Sequence, residues 1–472
     1  MNATTTAFGL LLVLFAVVGA AAARHAKATT RDYLVAGRSV GPWLTAVSAW
    51  ATAHSGFGFI GQIGFIYTTG ISALWLTVGW FFGDYLAWRL AFPRLRARAA
   101  GLDAQTWPQV VAAGSGRVVR VAAAVLTVVM LATYAAAQLQ AGAKAMHTVT
   151  GWTYEVGVGI GALLIVGYSA AGGVRATIWT DAAQSAVMLT AMLILGWVGV
   201  VECGGIDSLI DTLARIDPAL LSVSPRGAAG GPVLFVLGWI IAGLGVIGQP
   251  HVMVRLLSVR GDRDVTIARR INVSMSLVFT VASLAVGLSA RVLLPDLGAG
   301  DPEQALPVLA GTLLPGAMVG AVLAAIFAAS ISTADSQVLV SAAALTTDLT
   351  LRQPRVRVVK IGTLLVIVLM TTLAWWQPSN VFGLVVTSWS VLAVSLGPVV
   401  FFATWRGPTS SVVSLGAMLV GIVSMLGWRA LGWGSALHEV VPGVLLAIVV
   451  LQMGPRVDTR RVRANRTADR QP

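Results

Sequence analysis

The stretch AASISTADSQ, residues 328–337, carries hydroxyl, carboxylate and amide side chains in the middle of an apolar run. An apolar run of this length predicts a membrane-depth helix, where polar side chains are costly and usually mark function. Ala329, Ser332 and Thr333 stand at i, i+3 and i+4 and share one helical face. Two hydroxyls and a nearby carbonyl suit an alkali or alkaline-earth cation. The alternative is that the hydroxyls bond back to the preceding turn.

The whole chain is as apolar as the regions around this stretch. Of its 472 residues 57% are hydrophobic and 11% are charged, against about 25% charged in soluble domains. The composition therefore predicts an all-α integral membrane protein. The net charge of +13 is spread between apolar segments, where it sets membrane orientation and does not indicate a nucleic-acid partner. A single cysteine, Cys203, excludes an intrachain disulfide framework or a Cys-based metal cluster.

A helix needs about 20 mostly apolar residues to cross the bilayer core. The first apolar run has no basic residue before it, and Arg24 follows it, so we expect a retained helix rather than a signal peptide. The sequence predicts thirteen transmembrane helices, at 6–23, 43–69, 71–92, 120–147, 153–172, 179–203, 232–249, 271–294, 314–348, 358–376, 380–404, 410–428 and 436–453.

The distribution of arginine predicts the orientation in the membrane. With the N-terminus outside, the arginine-rich connections and the C-terminal tail lie in the cytoplasm, and the acidic connections 204–231 and 295–313 lie outside, as the positive-inside rule requires. The expected location is the cell membrane, with multiple passes and a cytoplasmic C-terminus. The predicted cytoplasmic connections are 24–42, 93–119, 173–178, 250–270, 349–357 and 405–409, and Arg255 is counted with the fourth.

Two further stretches predict helices that break within the membrane. SAWATAHSGFGFIGQIG (48–64) has glycines around the polar pair His54–Ser55, and in AGLGVIGQPHVMVR (242–255) Pro250 removes a backbone hydrogen bond. The alternatives are close packing through small residues and an ordinary helix end. A break exposes carbonyls that can bind a cation. Two breaks five spans apart are typical of an inverted-repeat secondary transporter, with spans two to six and seven to eleven as the repeats.

Four motifs cover most of the chain: DYLVAGRSVGPWLTAVSA (32–49), GYSAAGGVRATIWTDAAQS (167–185), GQPHVMVR (248–255) and ISTADSQVLVSAAALTTDL (331–349). Together they resemble the sodium/solute symporter family, and specifically its sodium/proline symporter branch. The resemblance implies the LeuT-like transporter fold, with two inverted five-helix repeats. The implied division of this single transporter domain, 1–472, is a first helix and connection (1–42), repeat 1 (43–203), repeat 2 (232–404), two C-terminal helices (405–453) and a basic tail (454–472).

The resemblance also implies cation sites. One sodium would lie between the first broken helix and the helix of the opening stretch. A second cation or proton site, as in some relatives, would use Asp181, Asp335 and Ser336 together with Ser332, although Asp181 could instead be the N-cap of the sixth span. By position, the ligands of the first sodium would be the carbonyls of Ala51, His54 and Ala329 and the hydroxyls of Ser332 and Thr333.

The chain departs from the proline branch in two places. Relatives usually have an Asp where this chain has Ala53, which leaves proton coupling through His54 or Asp335 as an alternative to sodium. Two aromatic positions of the relatives' pocket are Ala242 and Val246 here, which predicts a wider and flatter apolar wall. The residues predicted to bind substrate are Ser55, Gly56, Tyr134, Ala242 and Val246.

The leading prediction is sodium-coupled symport of a small organic solute into the cell, either an amino acid such as proline or a small carboxylate. Its partners would be the solute, the sodium ion and the bilayer, with no nucleic acid and no cofactor beyond the coupling ion. The alternatives are a proton-coupled symporter, a membrane sensor that does not transport, and an ion channel. No nucleophile set, metal-ligand spacing or phosphate loop indicates an enzyme.

Overall fold

The computed structural model describes residues 2–25, 29–223, 230–376 and 380–454, and this part of the chain is helical apart from one isolated β-bridge. The predicted tail, 454–472, lies outside the described residues except for its first residue. The helices are α1 (Ala3–Ala23), α2 (Thr30–Val35), α3 (Pro42–Ala53), α4 (Gln62–Thr69), α5 (Leu74–Leu86), α6 (Phe92–Gly101), α7 (Trp107–Val111), α8 (Arg117–Thr150), α9 (Tyr154–Glu202), α10 (Ile206–Ile216), α11 (Gly231–Leu244), α12 (Pro250–Ser258), α13 (Asp262–Leu293), α14 (Ala305–Leu313), α15 (Gly316–Ala343), α16 (Val356–Trp376), α17 (Val381–Trp405), α18 (Ser411–Ala430) and α19 (Val440–Met453).

Among the described residues, ten helices or continuous helical segments are long and apolar enough to cross a membrane. Two shorter apolar helices, Tyr154–Gly167 and Val440–Met453, accompany them. The multi-pass prediction is therefore confirmed, while the count of thirteen stays a prediction. Exposed Leu, Val and Trp side chains cover the outer helices, as lipid contact requires.

The helix that carries the opening stretch, α15, lies at the centre of the molecule. In the most apolar 18-residue stretch of this helical segment 83% of the residues are buried, compared with 22% in that of α1. It packs against α8, α9 and α1. Its alanine-rich sequence keeps side chains small, so neighbouring backbones can approach closely. The polar residues of α15 therefore face other helices and are shielded from lipid.

Both predicted breaks are present. In the first, α3 ends at Ala53, and the chain resumes in one π-helical turn, Phe57–Gly61, that leads into α4. In the second, Gln249 is extended (φ −94°, ψ 100°), and α12 begins at Pro250. The prediction that 250–270 is a cytoplasmic connection is wrong for its first nine residues, which form a buried helix. Proline ends the preceding helix, but its fixed φ also suits the first position of the next one.

The two broken helices are joined at one end by backbone hydrogen bonds. Val40 N–H donates to Ser258 O (3.1 Å), and Arg260 N–H donates to Val40 O (3.2 Å). The residues just before α3 and just after α12 are thus tied together. This pairing brings α3 and α12 side by side and positions their inward faces for the site described below.

The fifth and sixth predicted spans are two helical segments of α9 that meet at a kink at Gly173. Gly173 has φ 58° and ψ −151°, a conformation that favours glycine, and an added Cβ would lie 2.4 Å from Tyr33 O. The predicted turn at 173–178 is therefore reduced to one residue. Asp181 lies eight residues beyond this kink, within the helix, so the alternative that Asp181 caps a helix start is wrong.

Candidate functional site

The first break frees backbone carbonyls at the end of α3. His54 N–H donates to Trp50 O (2.9 Å), and the His54 backbone then leaves the helical region (φ −93°, ψ 62°). The carbonyls of Ala51 to Ala53 lie in the last turn, where helical N–H partners run out. The His54 ring stacks on Trp50 (centroids 4.9 Å apart), which turns its side chain back along α3. The Ala51 and His54 carbonyls predicted as ligands therefore lie at a helix end.

The opening stretch of α15 faces this break. Thr333 Oγ1 lies 3.1 Å from Thr52 O and 3.2 Å from Ala329 O, so one hydroxyl connects α15 to the last turn of α3. Ser332 is fully buried, and its side chain lies beside the Asp181 carboxyl group as well as beside Thr333 in sequence. Buried hydroxyls near carbonyls at a helix end fit a hard cation such as sodium. Of the predicted sodium ligands, Thr333 and Ala329 therefore lie at the contact between α15 and the last turn of α3, while Ala51 and His54 adjoin Thr52 in sequence, and the ligand set stays a prediction.

One turn further along α15, the predicted second site surrounds an arginine. Arg255 Nη2 lies 2.9 Å from Asp181 Oδ2 and 2.5 Å from Ser336 Oγ, while its Nε lies 3.0 Å from Ser48 Oγ. Ser336 Oγ is also 3.1 Å from Asp335 Oδ1. The guanidinium therefore connects α3, α9, α12 and α15. We call Ser48, Asp181, Arg255, Asp335 and Ser336 the arginine cluster.

The arginine cluster has two carboxyl groups and one guanidinium. Asp181, Arg255 and Asp335 are 0%, 2% and 1% exposed, so all three groups are removed from solvent together. The hydroxyls of Ser332 and Thr177 lie beside the Asp181 and Asp335 carboxyl groups respectively. Buried charges require compensation, and with both carboxyl groups ionised one negative charge would be left without it. The excess charge is the feature to which a further cation or a proton would respond.

A narrow cavity lies beside the first break, and only some of the residues predicted to bind substrate line it. Tyr134 and Val246 line it. Gly56 does not, because an added Cβ would lie 2.5 Å from Ser330 Oγ. Ser55 is fully buried behind the break. The remaining lining residues are Ala53, His54, Phe57, Gly58, Gln62, Leu76, Thr77, Trp80, Phe81, Asp84, Asn272, Ser276, Thr280, Val385 and Trp389.

Tryptophans from other helices pack near Ala242 on α11 and Val246 in the helical turn that follows it. Trp389 Nε1 donates to Ala242 O (2.9 Å), and Trp80 packs on Trp389 with ring centroids 4.5 Å apart. The cavity wall next to Val246 is therefore aromatic, although the aromatic rings come from α5 and α17. The prediction of a wider and flatter wall was based only on Ala242 and Val246. It did not include the aromatic rings that other helices contribute.

Sequence reasoning missed two charged residues of the site. Arg255 was grouped with a cytoplasmic connection because it follows Pro250, but it is buried in the arginine cluster. Asp84 lies within the predicted third span and lines the cavity. An acidic residue in a predicted span is itself a signal of function, and that signal was available for Asp84.

Two broken helices that pack together, with buried polar residues and a cavity at their breaks, define the chain as a secondary transporter with the LeuT-like fold. The sodium:solute symporter family model matches residues 33–423. The chain therefore belongs to the sodium:solute symporter family.

Similar proteins support this assignment. Sodium/proline symporters of Staphylococcus aureus strains JH9 and NCTC 8325 are each 29% identical over 466 residues, covering 93% of this chain and 89% of theirs. A solved sodium-coupled sialic acid symporter in a substrate-bound outward-open state has a similar fold (TM-score 0.82, 18% identity, 95% and 97% coverage). Mhp1, a nucleobase-cation-symport-1 family transporter in a closed conformation with bromovinylhydantoin bound, is similar as well (TM-score 0.61, 17% identity, 89% and 94% coverage).

Proposed function

We propose that the chain takes up a small organic solute together with sodium by alternating access and is not an enzyme. The family assignment supports sodium coupling, and the proposed solutes are an amino acid or a small carboxylate. The observation that carries the proposal is the position of the buried Thr333 hydroxyl, whose Oγ1 lies 3.1 Å from Thr52 O at the α3 break and 3.2 Å from Ala329 O.

Sodium at this junction would bind the carbonyls of Ala51, His54 and Ala329 and the hydroxyls of Ser332 and Thr333. Its ligands belong to α15 and to the end of α3, so binding would hold the two elements together and shift the population toward the outward-open state. We propose the orientation given by the arginine pattern, with the N-terminus outside and the C-terminus in the cytoplasm of a cell-membrane protein. An inward potential of 100 mV then contributes about 2.3 kcal/mol per sodium, roughly a fiftyfold accumulation.

The arginine cluster supports a second ion for the same cycle. Its excess carboxylate charge, which Asp335 supplies, would be balanced by a second sodium or by a proton. Asp181, Asp335 and Ser336 would be the groups that respond to it. Proton coupling is thus the second candidate, and it rests on Asp335 rather than on the first site.

Substitution of both hydroxyls tests the sodium site. In proteoliposomes, Ser332→Ala with Thr333→Ala should raise the sodium concentration for half-maximal uptake at least about tenfold, because two of five proposed ligands are lost. The uptake substrate is found first with a labelled panel of amino acids and carboxylates, under imposed sodium or proton gradients.

Ser341→Ala is the matched control. Ser341 is fully buried on the same helix, and its position nine residues after Ser332 places it on the opposite face. The control should keep the sodium dependence of the parent. Unchanged sodium dependence in the double variant would disprove the assigned ligands, and uptake driven equally by a proton gradient without sodium would favour the proton-coupled alternative.

A further inference from the structure

The central cavity contains a carboxylate without a cationic partner. Asp84, on α5, lines this cavity, and no ion pair joins it to another residue in the described part of the chain. Its hydrogen-bonding neighbours are the Asn272 amide, with Nδ2 3.2 Å from Oδ2, and the Trp88 side chain, both of which are neutral. Ionisable groups at membrane depth are rare and usually face a binding partner. In its ionised form, the Asp84 carboxylate therefore has no positive partner in the described part of the chain.

The cavity wall beside Asp84 is aromatic. Trp80 lies one helical turn before Asp84 on α5, and its ring is 4.5 Å from Trp389 and 6.4 Å from Phe57, measured between centroids. Tryptophan faces attract organic cations more strongly than other aromatic rings do. No Lys or Arg occurs among the described residues that line the cavity. A cavity lined by one carboxylate and by the indole rings of Trp80 and Trp389 has the chemistry of a site for an organic cation.

The first break does not offer the usual place for an anionic solute group. In broken-helix transporters the amides that start the second half-helix can face a substrate carboxylate. Here those amides are already bonded within the protein. Gly56 N–H donates to Gln138 Oε1 (2.8 Å), Phe57 N–H to Ser55 Oγ (3.2 Å), and Gly58 N–H to Ser55 O (2.8 Å).

We propose that the solute carries a positively charged nitrogen and that this group binds between the Asp84 carboxylate and the indoles of Trp80 and Trp389. The class comprises amines, quaternary ammonium compounds and amino acids, and it excludes carboxylates without nitrogen and neutral solutes. This inference rests on the proposed function, since it assigns the solute class of the same transporter. A sodium ion at Asp84 is less favoured because a hard cation prefers a shell of oxygen atoms to aromatic rings.

The test uses thermal stabilisation of the purified full chain in sodium chloride. Three defined pools are added: ammonium-bearing compounds including choline, L-proline and primary amines; carboxylates without nitrogen; and neutral sugars and nucleobases. Only the first pool should raise the melting temperature of the parent. In Asp84→Asn, which keeps the size of the side chain and one acceptor oxygen but removes the charge, the pool concentration that gives half of the full stabilisation should rise about tenfold to a hundredfold, as for loss of a charge-assisted contact.

Two further variants separate charge from folding. Asp84→Glu should keep the preference for the first pool, and Trp80→Phe should weaken its effect severalfold because the smaller ring attracts cations less. Stabilisation by the second or third pool, by none of the pools, or by the first pool equally in Asp84→Asn would overturn the inference. A change in sodium dependence alone in Asp84→Asn would also overturn it. Sodium-dependent stabilisation without solute, lost in the Ser332→Ala and Thr333→Ala variant, reports the proposed function separately.

Discussion

Two groups of oxygen atoms lie one helical turn apart on α15, and they differ in charge. The first, which we call the neutral group, consists of the hydroxyls of Ser332 and Thr333 and the nearby backbone carbonyls. All of its oxygen atoms are uncharged. The second, the arginine cluster, has two buried carboxylates that already surround the Arg255 guanidinium. A covalently attached cation cannot leave, whereas a cation held by neutral oxygens can be exchanged in each cycle.

The difference indicates separate tasks for the two groups. A buried ion pair is weak evidence for net stability, but removing one of its partners leaves a charge without compensation. Arg255 therefore fixes the relative positions of α3, α9, α12 and α15, while the neutral group joins α15 only to the end of α3. If sodium binds at Ser332 and Thr333 as proposed, its exchange would therefore leave the Arg255 contacts between the helices in place.

The largest effect is expected from removing the fixed cation. Arg255→Gln leaves Asp181 and Asp335 buried without a counter-charge, so we expect a loss of about 3–5 kcal/mol of stability and of uptake. The measurement is the melting temperature of the detergent-purified protein, with uptake in proteoliposomes.

The control is Arg31→Gln, because Arg31 pairs with Asp103 where the two side chains are 49% and 62% exposed, and such a pair contributes about 0–1 kcal/mol. Adding Asp181→Asn to Arg255→Gln should restore part of the lost stability. If the double variant melts no higher than the single one, charge compensation is not what Arg255 provides.

A smaller effect is expected from removing the excess charge of the arginine cluster. Asp335→Asn leaves the Arg255–Asp181 pair intact, so the protein should remain folded. If a second sodium or a proton balances Asp335, the number of cations carried per solute should fall by one. Reversal-potential measurements in proteoliposomes report this number directly.

Asp348→Asn provides the comparison for this measurement. Asp348 is also buried near the end of α15, but it pairs with Arg120 (2.6 Å) outside the arginine cluster. Its substitution should leave the ion number unchanged. An unchanged ion number in Asp335→Asn would show that Arg255 is the only cation this cluster needs.

The sequence was sufficient for the features that depend on local pattern. The i, i+3, i+4 spacing of Ala329, Ser332 and Thr333 gave a common face, and glycine and proline gave both breaks. The position of Arg255 was not predictable from charge pattern alone, because arginine after a helix end normally indicates the cytoplasmic side. Its burial depends on α12 continuing as a helix beside α3.

The cavity was less predictable than the proposed sodium site for a related reason. Besides the two breaks and α4, its wall includes residues of α5, α8, α13 and α17, which are distant in sequence. The small residues Ala242 and Val246 indicated open space, and only the packed helices show Trp389 and Trp80 beside them. Compensation between distant helices is a property of tertiary packing and leaves no trace in local spacing.

The smallest effect is expected where the neutral group meets the break. An added Cβ at Gly56 would lie 2.5 Å from Ser330 Oγ and 2.9 Å from Ala141 Cβ, so Gly56→Ala must push the break away from α15 or α8. Overpacking of this kind costs about 1–3 kcal/mol. Because the proposed sodium ligands come from both sides of that contact, the sodium concentration for half-maximal uptake should rise severalfold, and the melting temperature should fall less than in Arg255→Gln. Gly159→Ala, where an added Cβ meets nothing within 4 Å, should change neither quantity. Normal sodium dependence in Gly56→Ala would mean that the neutral group tolerates movement of the break, which would remove the contrast with the arginine cluster.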